Sequence, residues 1–436
     1  MTLKALCART VVTAPHQPQL DDHGIVIDGS RIVEIAPNRV LEGRSDLEIM
    51  DLKDHLLMPG LVNAHTHLAM NQLRGIANDL PLMTWLNEHI WPAENRWLSD
   101  EFVADGMRLA FIESLRAGVT QFNDMYLFPE TGVRVAEEVG IRASIGLFMI
   151  DFPTAYGAGP DDYYQKADAL IEQAKDHPLV QLTWGPHAPY TVSEQHLIKL
   201  RDYRDRYGMK IHMHVHETKD ETEGYIKQHG KRPLQHLKEL GLLSDHLIAV
   251  HMTQLTDEEI QWIADAKVNV GHCPESNLKL ASGFCPTHKL LEAGVNVAVG
   301  TDGVASNNDL CMLSEMRIAS FLAKANASDP RIFNADQTFA SGTINGAVAL
   351  GSDQQTGTLE VGKQADIVAL HLENPESAPI FQAVDHIAYS ADRQHVNHVW
   401  VAGKQLLKDR QTTTLNQDDV MARIEQWRQK IIESRK

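Results

Sequence analysis

The sequence predicts an α/β protein: a closed barrel of eight parallel strands and eight helices, carrying a small β-sandwich assembled from both ends of the chain. Three observations predict it. Between residues 59 and 355, short apolar runs alternate with amphipathic stretches, the texture of parallel strand-helix units. Both ends instead alternate β-branched runs with turn residues. The polar residues of the middle segment gather where its apolar runs stop, which in a parallel barrel is the rim that carries active sites. With 43% hydrophobic residues in a chain of 436, a core of this size can be built, and 22% charged residues exclude a disordered or fibrous protein.

The first part of the β module, residues 1–58, holds RTVVTAP, GIVIDGSRIVEIAP and LEIMDLKDHLLMPG and reads as antiparallel. The barrel, residues 59–355, takes its strands from the run ending in NAHTH and from VTQFNDM, RASIGLFM, VQLTWGPHAP, KIHMHVHET, LIAVHM, VNVGHCPES and VNVAVGTDG. Between them EFVADGMRLAFIESLRAG and DEEIQWIADA have helical spacing. An open doubly wound sheet competes with the barrel, but no G-x-G-x-x-G follows a strand. Residues 356–436 return to strand texture in GTLEVGKQADIVALHL and HVNHVWVAGKQLLKD. They end in DDVMARIEQWRQKIIESRK, an amphipathic helix expected to pack on the surface.

Net charge is −18, and no Lys/Arg cluster resembles a nucleic-acid groove, so a polyanionic partner is excluded. The N-terminal MTLKALCARTVV lacks a continuous apolar core, and no stretch approaches the roughly 18 apolar residues of a membrane span, which predicts a cytoplasmic protein without a membrane partner. Cys7, Cys273, Cys285 and Cys311 lack C-x-x-C spacing, against a disulfide framework or a thiolate zinc cage. A homo-oligomer is expected only because most soluble assemblies are of that kind.

The strand ends carry His65 and His67, His187, His212, His214 and His216 with Glu217, then His251, His272 and Asp302. One histidine beside an apolar run is ordinarily a core residue bonded to a carbonyl. H-x-H at a strand end is different, because period two puts both imidazoles on one face within reach of a single ion, and imidazole with carboxylate is the donor set of catalytic zinc. In IHMHVHETKDE the same period puts all three histidines on one face, so spacing does not say which binds. Glu217 suits either a proton carrier beside a metal or the start of a helix, and Asp302 either a ligand or a helix cap.

P-G-L-V-N-A-H-T-H after a β module, H-x-x-E at His214 and Glu217, the histidine of AVHMTQL, HCPESNLKL and a late T-D-G resemble the amidohydrolase superfamily. WLNEHIWPAENRW and GPHAPYTV are similar to its 5-methylthioadenosine/S-adenosylhomocysteine deaminases, and the likeness covers nearly the whole chain. The resemblance implies a TIM-like metal-dependent hydrolase barrel that converts the 6-amino group of 5'-methylthioadenosine, S-adenosylhomocysteine or adenosine to a 6-oxo group with release of ammonia. It implies His65, His67, His214 and Asp302 as ligands of one zinc ion, with iron and manganese suited to similar donors. Glu217 is then the proton shuttle, also touching substrate, and His251 and Asp302 orient and deprotonate the attacking water. Glu94 and His187 match substrate-binding positions, and Asp302, like Glu217, is implied to touch substrate as well. Glu94 is expected in a loop with Trp85, Trp91 and Trp97, where a carboxylate can accept from ribose hydroxyls and rings can cover an apolar tail.

In one place the chain departs from the pattern. Some members place arginines after the third barrel strand, whereas here Leu147, Phe148 and Met149 stand in that stretch, an apolar wall expected to favour a methylthio group over an amino-acid carboxylate. Two readings compete with the deaminase: another amidohydrolase, such as a guanine- or cytosine-type deaminase or a triazine chlorohydrolase, and a catalytically silent scaffold barrel. The Glu94 segment favours a ribose-bearing substrate, and every position that the chemistry needs is occupied.

Overall fold

The computed structural model describes residues 3–433. Eight strands form one sheet with neighbours in sequence order, every pair parallel: β1 (Leu61–Thr66), β2 (Val119–Asp124), β3 (Arg142–Met149), β4 (Val180–Pro186), β5 (Ile211–Val215), β6 (Leu247–His251), β7 (Asn269–His272) and β8 (Val297–Val299). These segments are almost wholly buried, as expected of strands covered by helices outside and by side chains within. The sheet closes where the backbone after β8 meets β1: the Asp302 N–H donates to the His65 carbonyl at 3.0 Å. Gly300 permits that approach, since a Cβ there would lie 2.5 Å from the His65 nitrogen.

The helices follow the expected amphipathic runs. Asp100–Leu115 starts where Ser99 Oγ accepts from Phe102 N–H, and Asp257–Asp265 starts in a reciprocal box of Thr256 and Glu259. The last helix, Gln417–Glu433, lies against Asp100–Leu115. Trp427 stacks edge-on to Phe102, and its Nε1–H donates to the buried Asp105 at 3.0 Å. The final residues of the expected C-terminal helix lie outside the described residues.

The second sheet has nine strands drawn from both ends of the chain. Strand Leu47–Pro59 joins the halves by pairing antiparallel with Ile367–His371, and runs on through Gly60 into β1. The sheet curls until Ile32 N–H reaches the Lys363 carbonyl, enclosing Leu6, Ile25, Ile32, Leu57 and Trp400. One pairing differs from the all-antiparallel reading of the first segment: Leu3–Val11 and Leu47–Pro59 run parallel. The reason is the connection. After Arg31–Pro37 the chain makes one helical turn, Asn38–Leu41, pinned by Asn38 Nδ2 to the Ala8 carbonyl at 2.7 Å, and returns on the far side of the first strand. A buried bidentate pair from Arg142 on β3 to Asp366, at 2.9 and 3.1 Å, fastens this sheet to the barrel.

Among the described residues no helix is long and apolar enough to cross a membrane. All four cysteines are buried and unpaired.

Candidate active site

The C-terminal ends of β1, β4, β5, β6 and β8 converge on one cluster. One donor atom each of His65, His67 and Asp302 lie within 4.8 Å of one another, and so do those of His65, His214 and His251. His65 belongs to both sets.

Each imidazole is held by its other nitrogen. His67 Nδ1–H donates to the Met125 carbonyl at 2.5 Å and His214 Nδ1–H to the His187 carbonyl at 2.7 Å, leaving both Nε2 atoms toward the cluster. His65 Nδ1 meets His212 Nε2 at 2.7 Å, while its Nε2 lies 3.2 Å from Asp302 Oδ1. Burial, then the neighbouring histidines, holds His214 well below the ordinary imidazole range, so it is a neutral donor. Burial disfavours an ionised Asp302, but hydrogen bonds from His65 and His67 outweigh it and hold the carboxyl well below the usual carboxylate range. Ser276 Oγ and Ser306 Oγ donate to Asp302 Oδ2 at 2.6 and 2.8 Å, leaving Oδ1 turned to the histidines. Burial lowers His65 to about 4, whereas His67, despite its own burial, is held up to about 9 by its contact with Asp302, and a bound cation would replace that proton. Three imidazoles, one carboxylate and outer hydrogen bonds that fix their orientation suit a divalent ion such as zinc.

The three histidines of the fifth strand separate. His212 lies one layer down against His65, and His214 stands at the rim. His216 follows the strand with left-handed backbone (φ +55°), and its Nε2 accepts from Leu234 N–H at 3.2 Å, away from the cluster. His251 (φ +73°) and Asp302 (φ +60°) have the same backbone sign, a conformation costly for these residues that turns their side chains inward at the strand ends.

Glu217 follows His216 at the rim. Its side chain has no capping task, because Thr218 and Glu221 cap the following helix, Lys219–His229, between themselves. Asp302 is likewise no helix cap, for the next helix, Met312–Ala327, begins after Cys311. Burial, with Asp302 nearby, pushes the Glu217 carboxyl up to about 8. Its Oε2 lies 3.7 Å from His251 Nε2, and His251 is oriented by Nδ1–H donating to Asn277 Oδ1 at 2.9 Å.

These groups form one end of a cleft of about 1100 Å³ that opens to solvent. Its walls are apolar, among them Trp85, Ile90, Trp91, Phe148, Ile150 and Phe152, and among the described residues neither lysine nor arginine lines it. Glu94 stands in this wall and accepts from Tyr126 Oη at 2.7 Å. Burial pushes its carboxyl up to about 7. His187 also lines the cleft, its Nδ1 bonded to Thr191 Oγ1 at 2.9 Å.

Three details correct the sequence reading. The Glu94 segment is helical from Leu82 to Trp97, with a widened turn at Leu86–Ile90 just before Pro92, where a regular turn would collide with the proline ring. Trp85 and Trp91 line the cleft, whereas Trp97 does not and instead stacks with Arg96. Of Leu147, Phe148 and Met149, only Phe148 faces the cleft. Strand alternation turns the other two into the core, and Ile150 and Phe152 supply the rest of the wall. Sequence reasoning missed Tyr126, Ser276, Asn277 and Ser306. HCPESNLKL held two of them, but only their neighbours in space give them meaning.

The amidohydrolase family profile matches residues 56–406. The chain is 44% identical over 418 residues to a 5-methylthioadenosine/S-adenosylhomocysteine deaminase of Teredinibacter turnerae, covering 96% of this chain and 95% of that one. It is 41% identical over 401 residues to a 5'-deoxyadenosine deaminase of Methanothermobacter thermautotrophicus, covering 91% and 92%. Among solved structures, a zinc-bound adenosine deaminase from Xanthomonas campestris matches with a TM-score of 0.97 at 45% identity, over 99% of this chain and 98% of that one. The chain therefore belongs to the amidohydrolase family and, within it, to the 5-methylthioadenosine/S-adenosylhomocysteine deaminases.

Proposed function

We propose that this protein is a zinc-dependent hydrolase that removes the 6-amino group of adenine nucleosides, with 5'-methylthioadenosine preferred over S-adenosylhomocysteine. The observation that carries the reading is a cleft with apolar walls that ends on a buried histidine-aspartate cluster beside a raised carboxyl, Glu217. His65, His67, His214 and Asp302 would hold the metal. A zinc ion bound there supplies Lewis acidity that brings the pKa of water toward neutrality, so that no strong base is needed.

The chain's residues do the rest. Glu217, protonated near neutral pH, hands its proton to purine N1 as water adds to C6, which keeps negative charge off the ring. It then carries the proton of the new C6 hydroxyl to the departing amine, so that the C6–N bond breaks as the 6-oxo group forms. His251, its Nδ1–H committed to Asn277, presents Nε2 to the attacking water. Asp302 takes up the water's proton while the two serine hydroxyls hold its other oxygen, and that proton restores the Glu217 carboxyl once ammonia has left. Glu94 accepts from the ribose hydroxyls, and His187 contacts the bound nucleoside. The apolar wall covers the 5' substituent.

Two results check the substrate side. The kcat/KM for 5'-methylthioadenosine exceeds that for S-adenosylhomocysteine, because the wall offers a carboxylate no cation; the reverse order overturns the preference. Glu94→Gln raises KM for nucleosides roughly 10- to 100-fold, the equivalent of about 1.5–3 kcal/mol for hydrogen bonds to a charged group. Only the ionised carboxylate accepts from both hydroxyls, so wild-type KM rises as pH falls below about 7, where Glu94 gains its proton. In Glu94→Gln that dependence vanishes. An unchanged KM would remove Glu94 from the ribose site.

A further inference from the structure

Glu315, in the first turn of Met312–Ala327, is wholly buried, and its charged neighbours Glu275 and Asp309 are carboxylates. A buried carboxyl without a cation is costly unless its oxygens are bonded. Each oxygen here is bonded to a different segment of the rim. Oε1 accepts from Asn307 Nδ2, which also donates to the Thr301 carbonyl at 2.8 Å, beside Asp302. Oε2 accepts from the Glu275 N–H at 3.3 Å, in the short helix Pro274–Lys279 that carries Ser276 and Asn277.

The two segments have one purpose in common. The loop after β8 brings Asp302 and Ser306, and the helix after β7 brings Ser276 to Asp302 and Asn277 to His251. We infer that Glu315 is a positioning residue that sets the register of these two segments, and through them the orientation of Asp302 and His251, without touching substrate or metal. The inference rests on the proposed reading for its kinetic consequence but not for its structural one. Burial, with the two carboxylates adding to it, pushes the Glu315 carboxyl well above its usual range. An amide of the same shape keeps the acceptor for Asn307 but sets its NH2 opposite the Glu275 N–H, so it preserves one of the two links.

The test compares wild type, Glu315→Leu and Glu315→Gln, each loaded with Co(II), by visible absorption and by steady-state kinetics on 5'-methylthioadenosine. In Glu315→Leu the Co(II) bands shift, and kcat falls roughly 10- to 100-fold, the range seen when outer partners of metal ligands are removed, with KM nearly unchanged. Glu315→Gln, which keeps the acceptor for Asn307 alone, shows a smaller shift and a smaller loss. Wild-type bands and kcat in a folded Glu315→Leu, with only a lower Tm, would overturn the inference, as would equal loss in both variants. If Glu315→Leu does not fold, Asn307→Ala cuts the same link from the other side; shifted bands there support the inference, and wild-type bands overturn it. Should wild-type protein bind Co(II) yet turn over no adenine nucleoside, the proposed function fails while the spectral comparison still decides the role of Glu315.

Discussion

Glu217→Gln lowers kcat by about 10²–10⁴-fold, the usual contribution of a positioned acid-base group, while zinc content stays at the wild-type level. The substitution keeps the shape of the side chain and removes only its ability to release a proton. Nothing in the fold depends on the lost carboxyl. Glu217 is tied down through its backbone, with its N–H on Glu221 and its carbonyl on Thr253 Oγ1, and the next helix is capped by Thr218. Tm should therefore hold while turnover falls, a separation that a merely structural glutamate does not give. Metal analysis of the purified variant beside its kcat checks this. Full activity would take the proton transfers away from Glu217.

His65→Ala loses both metal and turnover, and it also loses stability. His65 sits at the centre of the cluster, one nitrogen toward Asp302 and the other on His212. Alanine strands the imidazole of His212, whose Nδ1 already has no hydrogen-bond partner, and an unsatisfied buried polar group costs about 1–3 kcal/mol. Chelation followed by zinc addition distinguishes this from simple loss of the ion. Wild type regains activity and a raised Tm on zinc addition, since an ion that binds only the folded state stabilises it, whereas His65→Ala regains neither. Recovery of activity in His65→Ala would show that the remaining donors suffice without it.

Much of the fold and of the site is legible in the sequence. The barrel could be read because its strands are short apolar runs separated by amphipathic helices, and the rim because imidazoles and carboxylates are out of place at the ends of such runs. What could not be read was decided by neighbours in space. IHMHVHET gives three equivalent histidines by period two, and only the packing of His212 under His65 and the turn at His216 separates them. The parallel pairing of Leu3–Val11 with Leu47–Pro59 depends on which side of the sheet a one-turn helix delivers the chain, which strand patterning does not encode. Leu147 and Met149 alternate with Phe148, so one register choice settles which of them meets a ligand. Ser276, Ser306, Asn277 and Tyr126 are ordinary polar residues in sequence and acquire a role only opposite Asp302, His251 and Glu94.

The most direct test of the central claim is a mass-spectrometric assay of zinc-loaded protein against 5'-methylthioadenosine, S-adenosylhomocysteine, adenosine, adenine, guanine and cytosine, reading the mass change as an amine becomes a carbonyl. Turnover is expected for the adenine nucleosides alone, with the highest kcat/KM for 5'-methylthioadenosine. Turnover of guanine or cytosine instead, or no turnover of any of the six with zinc bound, would contradict it.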